Sequence, residues 1–327
     1  MSVRITIIGL GQIGGSFGLA LADHKELFLR VGHDKEPEVS RLAQKLGAVD
    51  QVSINLPASV RDSDVILLAL PIDQIRETIE IIAPDLKEDV VLLDTAPVKE
   101  VVTAWAKELL PTGRYYVGLT PVLNPSYLLL PDSGIAAARA DLFRGGVMGI
   151  VAPPRTPSEA IKLAADLTRI VGATGMFFDP VEIDSMMAAT HILPQLVSAA
   201  ILNSTVDQPG WHEARKIAGR AYASVTSPSV QFIGPKTLSS SAMLNRENVL
   251  RVMDGMIATL QALRGDIEHQ DPLSLQTRLE RARDGRQLWW SQRQSANWEE
   301  EAGAAPQIST GSEMFGRLLG IRRRKRG

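Results

Sequence analysis

The sequence predicts a doubly wound α/β fold, a mostly parallel sheet with helices on both faces, followed by an all-helical second domain. Two patterns carry that prediction. In the first half, short runs rich in Val, Ile and Leu, with no polar alternation, take turns with stretches of helical periodicity, as strands buried on both faces require. After Pro153-Pro154 such runs give way to long helical patterns with explicit start signals.

Strands are expected at residues 3–8, 27–32, 64–70, 90–93, 115–118 and 147–151, with helices between them at 11–25, 37–46, 72–83 and 98–110. This strand-helix-strand order implies crossovers between parallel neighbours. Past the two prolines, Thr156-Pro157-Ser158-Glu159 and Asp179-Pro180-Val181-Glu182 each place an N-cap oxygen, a proline at the first helical position and a glutamate at the third. Asp271-Pro272 opens a further helix in the same way, and one short strand is expected around 176–178. The reading divides the chain into a sheet domain (1–153), a helical domain (154–298) and a mobile tail (299–327). Within the helical domain, Val249, Met253, Met256, Leu260, Leu263 and Ile267 follow at spacings of 4, 3, 4, 3 and 4. That heptad seam packs either inside its own domain or against a second subunit. In the tail, Met314, Phe315, Leu318, Leu319 and Ile321 precede the basic run 322–326, read as solvated charge at a terminus in preference to a short amphipathic helix that touches membrane lipid or nucleic acid.

Composition excludes several classes of function. The charge is near balance, 35 Lys and Arg against 37 Asp and Glu, so the chain has no overall attraction to nucleic acid or an anionic membrane. At 45% hydrophobic and 22% charged residues it is neither disordered nor fibrous. The longest uninterrupted apolar run, 65–70, is far short of the roughly 20 residues that span a bilayer, and the first residues show no signal-peptide pattern, so a cytoplasmic location is expected. With no cysteine and five scattered histidines, no metal site is expected.

The strongest motif is Gly9-Leu10-Gly11-Gln12-Ile13-Gly14, which leaves the first strand and opens the first helix. Gly9 suits the tight turn, Gly11 the close approach of a pyrophosphate and Gly14 the contact of helix with strand. The helix start adds amides and partial positive charge. Asp34, twenty residues beyond Gly14 at the end of the second strand, can accept hydrogen bonds from ribose hydroxyls. The first domain is therefore read as a Rossmann-type dinucleotide-binding domain. NAD is favoured over NADP, because a 2′-phosphate would meet the Asp34 carboxylate, although Lys35 and Arg41 soften that preference.

Further residues carry a family resemblance: Asp64-Val65-Ile66-Leu67-Leu68-Ala69-Leu70-Pro71, Asp94-Thr95-Ala96-Pro97-Val98-Lys99, Gly118-Leu119-Thr120-Pro121, Asp184 with Ala188 and Leu193-Pro194, and Asn245-Arg246-Glu247-Asn248-Val249. In this order and spacing, and with the glycine loop, the chain resembles the prephenate and arogenate dehydrogenases. The resemblance implies an oxidative decarboxylation: a hydride passes from the ring carbon bearing the hydroxyl to NAD, carbon dioxide departs and a phenol forms. It also implies a small carboxylate substrate, a homodimer built through the helical domain, and Ala69, Pro71 and Thr95 beside the cofactor together with Gly9, Gly11, Gln12, Ile13, Gly14 and Asp34.

The chain departs from that family where the chemistry sits. Thr120 stands ahead of Pro121 where the family has histidine, Pro97 replaces a serine, and Ile183 and Gln195 replace two further histidines. No arginine lies between Arg220 and Arg246, where the family holds the substrate carboxylate. Besides Thr120, the candidates for the chemistry are His191, which faces the cleft or caps local backbone, and Lys99, which accepts a proton if burial lowers its pKa or else sits on the surface. Ser239-Ser240-Ser241 with Lys236 either binds an anion or forms a flexible loop. Three functions follow: the dehydrogenation named above, a dehydrogenase or reductase for another hydroxy acid or imine, and a catalytically silent NAD-binding protein.

Overall fold

The computed structural model describes residues 2–130, 132–231 and 234–296. The tail (299–327), with its apolar group and basic run, lies outside them. Among the described residues, β1 (Val3–Ile8), β2 (Phe28–His33), β3 (Gln51–Val52), β4 (Val65–Leu68), β5 (Val91–Asp94), β6 (Tyr115–Val122), β7 (Val147–Val151) and β8 (Thr174–Phe177) form one sheet in the order 3-2-1-4-5-6-7-8. Every pairing is parallel except β6 with β7. Helices α1 (Gln12–Ala20), α2 (Pro37–Lys45), α3 (Leu56–Val60), α4 (Ile72–Ile82), α5 (Glu100–Leu109) and α6 (Ser158–Ile170) are connected through it.

The lack of polar alternation in the strands has a direct cause. Ile7, Leu67 and Leu93 enter one buried cluster, with Phe17 of α1, while Ile8, Ile66, Leu68 and Leu92 enter another, with Ile75 and Ile79 of α4. Successive residues feed opposite faces, so every position is apolar.

Several expectations are corrected. The first helix stops at Ala20, not 25, and a separate turn, Ala22–His24, follows. β3 and α3 were not expected, since two and five residues are too short to show a period. Thr156 does not cap α6: the N-cap is Pro157, and Thr156 Oγ1 donates to the Pro153 carbonyl 2.8 Å away. Pro153-Pro154 is thus a turn inside the sheet domain. Beyond it, α6 returns to β8, which pairs with β7, so the sheet runs past residue 153 to Phe177.

The helical part begins not at 154 but at Asp179, whose side chain caps α7 as expected by accepting the amide of Val181. Here α7 (Pro180–Met187), a π-helical turn (Ala188–Ile192) and α8 (Leu193–Asn203) make one continuous helix. It is long and apolar enough to cross a membrane, with an 18-residue stretch of mean hydropathy 1.4. Run length alone misses it, because Thr190, His191 and Gln195 interrupt the apolar residues. Its Ile183, Asp184, Ala188 and Ile192 are buried in the protein. Then follow α9 (Trp211–Ile217), α10 (Arg220–Thr226), α11 (Pro228–Gln231), α12 (Pro235–Leu244), α13 (Arg246–Glu268) and α14 (Pro272–Ser295), the last capped by Asp271 as expected. Of the heptad seam on α13, Val249 is buried, whereas Met253, Leu260 and Ile267 are exposed.

Candidate active site

Three residues turn the chain from β1 into α1. Gly9 holds φ at +89°, and a Cβ there would sit 2.4 Å from the Ala69 carbonyl oxygen. A Cβ on Gly14 would lie 1.9 Å from the Gly9 carbonyl oxygen. Both positions exclude any larger residue. Gly11 is the opposite case, because its missing side chain faces open space, with nothing within 4 Å. No side chain caps α1, and its first turn, with Gln12 and Ile13 half-buried, has no acidic residue. An anion can therefore approach the backbone at Gly11 and the leading amides of α1.

Asp34 lies just past β2 and serves the loop itself: Oδ2 accepts the amide of Leu10 at 2.8 Å and Oδ1 that of Glu36 at 3.0 Å. Each carboxylate oxygen keeps a second lone pair for a ribose hydroxyl. Ala69 donates its amide to the Ile8 carbonyl, and Thr95 donates its amide and hydroxyl to the Leu68 carbonyl. Pro71, exposed, is the N-cap of α4. All of the expected cofactor residues thus gather at the carboxyl ends of β1, β2, β4 and β5, where the strand order reverses between β1 and β4 and where ligands bind in such sheets. An open cradle at Gly11 with a carboxylate beyond it fits an adenine dinucleotide.

Next to this edge lies a buried polar network. Asp94, fully buried at the end of β5, accepts Lys99 Nζ at 2.8 Å and the Ala96 amide at 2.7 Å on Oδ2, and the Tyr116 hydroxyl at 2.7 Å on Oδ1. Lys99 is 0% exposed, so the surface alternative is excluded. Burial lowers its pKa, opposed by the Asp94 charge. Burial and the same carboxylate push the Tyr116 phenol well above its usual range. The Lys99 stem lies under Gly118, where a Cβ would come within 2.8 Å of its Cδ. Asp94 and Tyr116 were not singled out from sequence. A strand-final Asp five residues before a Lys was the available signal for the first; Tyr116 offered none.

Gly118 and Thr120 lie two residues apart on β6 and so face the same way. Thr120 is 3% exposed, and its hydroxyl has no hydrogen-bond partner among the described residues. Opposite it in β7 is Gly149, whose Cβ position is 2.6 Å from Ile183 Cδ1 and 3.3 Å from Thr120 Cβ. The long helix thus crosses beside Thr120. His191, two turns past Asp184 in the π turn, is half-buried, and burial lowers its pKa. Its own carbonyl accepts Nε2 of Gln195, whose Oε1 is left without a partner among the described residues. Thr120 and Lys99 are brought together with α7; among the described residues no hydrogen bond or ion pair joins His191 to either. The serine run is helical, not a loop: it lies in α12, with Ser241 buried and donating to the Thr237 carbonyl. Lys236, highly exposed, pairs with Asp73 of α4 at 3.3 Å.

Strand order and glycine turn are those of a nucleotide-binding sheet domain, here followed by a helical second domain. Residues 17–176 match the prephenate dehydrogenase nucleotide-binding domain, and residues 179–281 the prephenate dehydrogenase dimerization domain. The chain belongs to the prephenate dehydrogenase family. The two matches meet between β8 and α7, and the first begins just past the glycine loop, so the reading of the loop rests on its geometry. Prephenate dehydrogenase of Bacillus subtilis is 23% identical over 88% of this chain and 76% of its own length. Cyclohexadienyl dehydrogenase of Zymomonas mobilis is 26% identical over 82% of this chain and 89% of its own. Among solved structures, prephenate dehydrogenase from A. aeolicus in complex with hydroxyphenyl propionate and NAD+ superposes with a TM-score of 0.77 at 22% identity, covering 88% of this chain and 98% of that one. Synechocystis arogenate dehydrogenase gives 0.69 at 21% identity, over 88% and 100%.

Proposed function

We propose that this protein is an NAD-dependent dehydrogenase that oxidatively decarboxylates prephenate or arogenate, working as a homodimer through its helical domain. The observation that carries the reading is the open backbone cradle at Gly11, framed by Asp34, on the same sheet edge as the unpartnered hydroxyl of Thr120. Family membership supports the chemistry, and the exposed half of the α13 seam supports the dimer. Bound NAD supplies the hydride acceptor.

The chain's own residues do the rest. Asp34 selects the unphosphorylated ribose by repelling a 2′-phosphate. Lys99, paired with Asp94, fills the floor beneath Gly118. Thr120 cannot ionise near neutral pH, so its hydroxyl orients the substrate hydroxyl by hydrogen bonding. His191, on the same helix as Ile183 and with its pKa lowered by burial, is a candidate base for that proton. Aromatisation drives the reaction, which leaves alignment as the main task of the protein. A second reading, oxidation or reduction of another hydroxy acid or imine, is favoured by Ile183 beside Thr120, an apolar wall where the family has a histidine.

Reduced-cofactor absorbance in the presence of NAD and either acid tests the proposal. Turnover is expected, with kcat lowered roughly tenfold or more in Thr120→Val. No turnover with prephenate or arogenate, alongside turnover on a panel of hydroxy acids or imines, would replace it with the second reading.

A further inference from the structure

Helix α5 starts immediately after the strand end that borders the cofactor edge, yet no side chain of its own caps it. Its N-cap residue is Lys99, whose side chain is turned away into Asp94. The cap comes instead from the helical domain. Asp184 Oδ1 accepts the Lys99 amide at 2.5 Å and Oδ2 the Glu100 amide at 3.0 Å, across more than eighty residues of sequence. Asp184 is 1% exposed. Its backbone carbonyl in turn accepts Asn245 Nδ2 at 2.7 Å, and Asn245 Oδ1 accepts Asn248 Nδ2 at 2.9 Å, which ties in the first turn of α13. One residue thereby joins α5, through its carboxylate, and α13, through its carbonyl, to α7.

We propose that Asp184 is a positioning residue: by capping α5 from the other domain it fixes the helix that sets Ile183 beside Thr120 and carries His191 and Gln195. A buried carboxylate needs compensation, which two amides and the positive end of the α5 dipole provide. The same contact ties the helical domain to the sheet domain at the start of α5. The substrate carboxylate must bind elsewhere, since the N-terminus of α5 is already filled. The activity readout of this inference rests on the function proposed above; the exchange readout does not.

The test uses the full chain and Asp184→Asn, which keeps size but turns an amide group toward one of the two N–H donors. Hydrogen exchange, NAD calorimetry and steady-state kinetics are measured together. The Lys99 and Glu100 amides are expected to exchange roughly tenfold faster or more, as the loss of charge-assisted hydrogen bonds requires. NAD affinity should stay within about twofold while kcat falls roughly tenfold, a split that general loosening would not give. Unchanged exchange at those two amides, or kcat and NAD affinity falling together, overturns the proposal. Should Asp184→Asn fail to fold, Asn245→Ala decides: faster exchange confined to the start of α5 supports the inference, and unaltered exchange there overturns it. A wild-type chain inactive on both acids overturns the proposed function, while the exchange result still decides the capping claim.

Discussion

The two parts of the candidate site are built by different means. On the cofactor side, the work is done by backbone and by missing side chains: Gly9 and Gly14 leave room for neighbouring carbonyls, and Gly11 leaves room for a ligand. Beside the proposed substrate position, it is done by long-range side-chain contacts, Asp94 with Lys99 and Tyr116, and Asp184 with the start of α5. The first kind of site is dictated by steric exclusion over six consecutive residues. The second depends on which distant residues the fold brings together.

The contrast is broken most severely at Gly14. In Gly14→Ala the new Cβ meets a backbone oxygen that cannot move aside, so a loss of about 3 kcal/mol or more of stability and of detectable NAD binding is expected, read by thermal melting and calorimetry. Gly11→Ala sharpens the comparison: with open space around the Cβ, its melting should match wild type while NAD binding weakens. Equal destabilisation by both would refute the distinction drawn between packing glycine and ligand glycine.

On the other side, Lys99→Met leaves the Asp94 carboxylate buried with only Tyr116 and the Ala96 amide. Urea denaturation is expected to show a loss of roughly 3 to 5 kcal/mol, largely recovered in Lys99→Met/Asp94→Asn, because the cost is an uncompensated charge and not a lost contact. A double variant no better than the single one would contradict this account.

A smaller effect is expected from pH. Burial pushes Asp184 up to about 6 from its ordinary 3.8, against the opposing pull of the Lys99 and Glu100 amides and the Lys99 charge; Glu100 raises it further. Asp94 and Tyr116, the partners of Lys99, face the same network. Because the folded pKa lies above the unfolded one, the stabilising contribution of this group is complete below about pH 4, is lost as pH rises through 6, and is constant above. The change is about 1 to 2 kcal/mol. Comparing urea midpoints of wild type and Asp184→Asn between pH 4 and 8 should show that slope only in wild type.

Sheet strands and the glycine loop were legible because each is declared locally, by period or by glycine spacing. The boundary was less so: Pro153-Pro154 resembles a linker, but only pairing of β8 with β7 shows that the sheet continues beyond it. Lys99 was visible as a candidate, yet its burial depends on Gly118, nineteen residues on, leaving room for its stem. Asp184 was visible as a family position, without its partners. Tyr116 looked like one more strand residue, since nothing in its neighbours announces the carboxylate beneath it. Local sterics can be read from a sequence, whereas pairing between distant polar groups needs the fold.

Calorimetric titration of the full chain with NAD and with NADP addresses the central claim, that Gly9, Gly11, Gly14 and Asp34 hold an adenine dinucleotide. Saturable binding of NAD, one molecule per chain, with NADP weaker and the difference reduced in Asp34→Asn, is the predicted result. Absence of binding by NAD, NADH and NADP to a folded chain would contradict it.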